Sequence, residues 1–161
     1  MKPDDYFYFF TPIVVVAASY LFGIATSSYE RKMKAYKERY DNLYIPFMNW
    51  LVHYPLSWIN PRKYTIRERQ AFIKLLLDNS QFMGKKSSKL LIDFYNAHLD
   101  LDEFDIRKNQ NYFKSPAEYE EQFYLMANAL LEESTQVSAK LKLPDMPATI
   151  SAMYNRRVGK L

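Results

Sequence analysis

Residues 6–26 form a run of 21 residues without one charged side chain, YFYFFTPIVVVAASYLFGIAT. As an α-helix rising about 1.5 Å per residue, it reaches about 31 Å, the thickness of a hydrocarbon core of about 30 Å. Tyr6, Phe7, Tyr8, Phe9 and Phe10 at one end, with Tyr20 and Tyr29 towards the other, match the pattern of interfacial aromatic belts. Pro12 falls in the first two turns, where a membrane helix tolerates it. A buried core helix competes with this reading, but 21 uncharged residues is long for a core element. A cleavable signal peptide also competes, with Ala25-Thr26-Ser27 as its small-residue site. Against it, Lys2 is offset by Asp4 and Asp5, the run exceeds a usual h-region, and the positive charge follows instead of preceding. The expectation is a transmembrane signal-anchor over 6–27 behind a short outer N-terminus, 1–5.

The flanking charge sets the expected orientation. Arg31, Lys32, Lys34, Lys37 and Arg39 follow the run, whereas Lys2 stands against two aspartates before it. The positive-inside rule puts the N-terminus outside a cell membrane and residues 28–161 in the cytoplasm. The same five side chains form a membrane-surface cluster that attracts anionic lipid, at about 1 kcal/mol per residue close to the surface.

Beyond the anchor the expected fold is all-α, a small helical bundle over 28–143 with a basic C-terminal tail, 144–161. Three glycines in 161 residues argue against glycine-cornered β-architectures and phosphate-cradling loops, and the absence of cysteine excludes disulfides and thiolate metal sites. Met33, Tyr36, Tyr40, Leu43, Phe47 and Leu51 recur in steps of three and four, the spacing of one helix face. Pro46 predicts a kink or break there, and an irregular connector follows over 54–61. Thr65-Ile-Arg-Glu68 has the form of a capping box and opens a helix carrying Phe72, Ile73, Leu76 and Met83, with Gly84 as its stop. Ser87 or Ser88 then caps a helix containing Leu91, Phe94, Tyr95 and His98. Ser115-Pro116-Ala117-Glu118 combines an N-cap serine, a proline at the first helical position and a capping glutamate. Behind it, Tyr119, Phe123, Met126, Leu130, Val137 and Leu141 fit one long helix that Pro144 and Pro147 end. Seventeen per cent aromatic residues exceeds the ordinary need of a small helical core, so some tyrosines are expected to face lipid or protein.

Charge is segregated along the chain. Residues 30–90 carry 13 Lys/Arg against 5 Asp/Glu, 91–133 carry 3 against 10, and 134–161 carry 5 against 1. Such blocks permit pairing of the basic first half with the acidic middle. Chemistry-bearing motifs are few. His53 reads as a packing residue, having no histidine or cysteine nearby in sequence. His98 precedes Asp100, Asp102 and Asp105, and imidazole with carboxylates binds zinc or another divalent ion. The competing reading is a solvated acidic loop, since the run lacks the glycine and distal glutamate of a calcium loop. Glu118, Glu120 and Glu121 suit the positive end of a helix dipole without acid–base chemistry. No glycine-flanked serine or glycine-rich Lys-Ser/Thr loop is present. Nothing in these residues requires a cofactor.

The layout of a short outer N-terminus, one helix, then Tyr36-Lys-Glu-Arg-Tyr40 and Leu43-Tyr44-Ile45-Pro46-Phe47 resembles small single-pass membrane proteins of Gram-positive bacteria and their prophages and mobile elements. The resemblance covers about the first 50 residues. The residues are read as those of a non-enzymatic interaction protein with membrane lipid and a protein as partners, and the resemblance implies superinfection exclusion as the process served. Two alternatives differ in class: a membrane-tethered metal-dependent enzyme using His98 and its neighbouring carboxylates, and a nucleic-acid-binding helical domain. The second ranks low, because tethering accounts for the basic cluster and an acidic block offsets the charge.

Overall fold

Scarce glycine and helix-period apolar residues translate into helices throughout. The computed structural model describes residues 3–53, 60–107 and 114–158, with side chains described at residue 16 and over 19–53, 60–106 and 114–153. Among them there is no strand. The α-helices are α1 (Pro3–Arg39), α2 (Ile45–His53), α3 (Ile66–Asp78), α4 (Lys85–Arg107), α5 (Ser115–Lys140) and α6 (Met146–Val158). The chain divides into two compact units, Met1–Ala35 and Tyr36–Leu161.

The first unit is helical from Pro3 onward. Within the uncharged run its described large apolar side chains are exposed: Val16, Tyr20, Leu21, Phe22 and Ile24. Among the described residues no helix is long and apolar enough to cross a membrane. Most of the uncharged run, residues 6–15 with 17 and 18, has side chains that lie outside the described set.

The second unit is a helical bundle around an aromatic core. Tyr40, Leu43, Phe47 and Leu51 are buried, as the spacing predicts, joined by Tyr44, Met48 and Trp50. Pro46 does not break the helix. Residues Tyr40–Tyr44 form a π-helical turn in which the Ile45 N–H donates to the Tyr40 carbonyl, and helix resumes to His53. A wider turn just before a proline relieves the clash between its ring and the carbonyl four residues back. The expected connector over 54–61 lies outside the described residues except Asn60 and Pro61, where Asn60 Oδ1 caps a short 3₁₀ turn, Pro61–Lys63.

Thr65 and Glu68 close the capping box reciprocally and start α3, whose Phe72, Ile73 and Leu76 reach the core. Trp50 stacks on Phe72 at 4.4 Å between centroids, and Phe72 meets Phe123 and Phe94 at 5.2 and 5.6 Å. Offset and edge contacts of this kind contribute beyond their buried area. The aromatic surplus therefore goes largely inward in this unit: Tyr40, Tyr44, Tyr64 and Tyr119 are all buried. α5 is the central helix, packed against α4 along its length and against α6 at its end.

Three expectations about boundaries change. α3 stops at Asp78, and Gly84 stands before α4 instead of ending α3. Lys114, not Ser115, precedes α5, and Ser115 is buried within its first turn beside Pro116. Finally, residues 144–161 are not simply a tail, because Met146–Val158 form α6, with Ile150 in the core. α5 ends in a Schellman turn well before Pro144: Leu143 N–H donates to Ser138 O, Lys142 N–H donates to Ala139 O, and Lys142 takes the left-handed φ of 56°.

Candidate functional site

The basic cluster divides by what its members touch. Arg31, Lys32 and Lys34 are exposed, Arg31 Nε donating to Ser27 O at 3.2 Å. Lys37, also exposed, pairs with Asp41 at 2.7 Å one turn on. Arg39 belongs to the bundle. Its Nε donates to Phe82 O at 2.8 Å and its Nη2 to Tyr44 Oη at 2.9 Å. The set facing solvent is therefore four residues, not five.

The acidic stretch after His98 is not a loop. Residues 100–105 continue α4, and two of the carboxylates serve a buried arginine. Arg69 falls in step with Phe72, Ile73 and Leu76 on the inner face of α3 and is 1% exposed. Its Nη2 lies 3.0 Å from Asp102 Oδ1 and 2.7 Å from Asp105 Oδ2, and its Nη1 donates to Tyr64 O at 3.2 Å. Unpaired, a guanidinium in this position costs several kcal/mol. The carboxylates, three residues apart on α4, answer that cost from one helix face. His98 Nε2 lies 3.6 Å from Asp102 Oδ2. Burial pushes the His98 imidazole below its ordinary range, Asp102 pulls the other way, and Arg69 adds to the depression. Asp100 contributes nothing to the Arg69 pairing. Among the described residues no group of three or more His, Asp or Glu side chains is placed to hold a metal ion.

A second buried charge sits at the other end of α4. Glu133 of α5 falls in step with Met126, Leu130 and Val137, and it is 6% exposed. Its Oε1 accepts from Lys86 N at 2.9 Å and Ser87 N at 3.1 Å. Its Oε2 accepts from Gly84 N at 3.0 Å, Ser87 Oγ at 2.6 Å and, more weakly, Tyr44 Oη at 3.4 Å. The first amides of a helix lack intrahelical acceptors and carry its positive dipole end, so a carboxylate there is well placed. Ser87 does not cap α4 itself; it donates to the group that does. Gly84 leaves room for this carboxylate, because a Cβ there would collide with Glu133 Cδ and Oε1 and push them off the amides they accept from. Burial and Glu133 push the Tyr44 phenol up to about 12, with Arg39 opposing.

No family model, curated protein or solved structure matches the chain. What the site can do therefore rests on its own chemistry. Arg69 and Glu133 are engaged by partners from other helices, and each ties one end of α4 to a different helix. Neither presents a nucleophile or a general base to a cavity. The part-buried pair Arg62–Glu120 and the exposed pair Lys86–Glu132 join the basic segment to the acidic one, as the charge blocks allow. An open apolar groove of about 580 Å³ is lined by Pro46, Asn49, Trp50, Val52, His53 and Leu75. His53 is exposed at this groove and does not pack inside the core.

Sequence reasoning missed Arg69, Glu133 and Gly84 as a set. The available signal was a charge on an apolar stripe: 69 with 72, 73 and 76, and 133 with 126, 130 and 137.

Proposed function

We propose that the chain is a membrane-tethered, non-catalytic interaction protein. Residues 6–26 cross a cell membrane, with the N-terminus outside, and the bundle works at the cytoplasmic face. The observation that carries this reading is the exposure of apolar side chains in α1. Val16, Leu21 and Phe22 are 69%, 65% and 73% exposed, and Tyr20 and Ile24 are exposed with them. Tyr20, Leu21 and Phe22 follow one another at about 100° per residue, so no single protein surface covers them all. A helix apolar on every side needs an apolar solvent, and for an uncharged run of 21 residues that solvent is lipid. Arg31, Lys32, Lys34 and Lys37 then lie at the cytoplasmic headgroups, where basic residues orient an anchor and attract anionic lipid.

The process served, on the resemblance of the first 50 residues, is exclusion of a second phage. The test has two arms. The full chain, produced in a bacterial host, is expected to stay with the membrane pellet through alkaline carbonate extraction; release into the supernatant would overturn the tether. The same host is expected to adsorb a challenging phage normally while admitting less of its DNA. Undiminished plaque counts would remove the exclusion role and leave the tether standing.

A further inference from the structure

We draw no further inference here: the strongest candidate, the open apolar groove that α2 and α3 line with Pro46, Asn49, Trp50, Val52, His53 and Leu75, carries nothing, because nothing among the described residues shows what covers it.

Discussion

Leu21 and Phe22 in α1 are 65% and 73% exposed, whereas Leu130 and Phe123 in α5 are fully buried. The charges run the other way: Arg31, Lys32 and Lys34 face outward, while Arg69 and Glu133 are enclosed. The same residue types thus occupy opposite environments in the two units. The difference is what the proposed tether rests on. A bundle in water covers its aliphatics and encloses a charge only where partners meet it. A helix that shows its aliphatics on all sides, with cations gathered past the uncharged run, suits lipid.

This contrast breaks most sharply at Glu133. Glu133→Ala removes the acceptor for three amides and a serine hydroxyl at the start of α4, and is expected to lower the unfolding free energy by about 3–5 kcal/mol, read from denaturant titration of the full chain in mild detergent. Gly84→Ala attacks the same contact by steric means and should cost less, about 1–3 kcal/mol. Arg69→Ala leaves Asp102 and Asp105 without their cation and opens a void. These carboxylates keep some solvent, which limits the loss to about 2–3 kcal/mol in the same titration. All three should leave membrane retention unchanged.

Lys142→Gly has the opposite sign. The left-handed φ suits glycine, so the variant is expected to be more stable by about 0.5–1 kcal/mol. The last prediction concerns a slope. His98 is held neutral by burial, with its folded-state pKa below its unfolded value. The unfolded chain therefore binds the proton first as pH falls. The stability that His98 contributes is present above the unfolded value of about 6.5 and drains as pH falls from there through the lowered folded value. His98→Phe should flatten that part of the stability–pH curve; an unchanged slope would contradict the assignment.

Much of the bundle was legible because its rules are local. The capping box at Thr65–Glu68 and the inward faces 40–43–47–51 and 119–123–126–130–137 follow from periodicity and side-chain hydrogen bonding alone. What was not legible depended on distant partners. Gly84 reads as a helix stop until Glu133, far along the chain, is seen to need the space of its missing Cβ. The acids at 100–105 read as a loop because their charge suggests solvent; Arg69 across the bundle supplies what solvent would have. Pro46 marked the right region, but a proline signals a conflict in hydrogen bonding and not its resolution, which here is a π-helical turn. α6 was missed because Pro144 and Pro147 stand at its start and Arg156 and Arg157 near its end, which read as a helix stop and a basic tail, while Ile150 reaches the core.

The central claim is the proposal that residues 6–26 of α1 lie in lipid and the bundle does not. The direct measurement is carbonate-resistant membrane retention of the full chain beside its Val16→Arg, Phe22→Arg variant, with the unfolding of the bundle followed in parallel. Each arginine costs up to about 3 kcal/mol inside a bilayer and almost nothing on a water-facing helix. The account predicts that the parent stays in the pellet, the variant moves to the supernatant, and the bundle unfolds identically in both. A parent chain in the supernatant, or a variant retained as firmly as the parent, would contradict it.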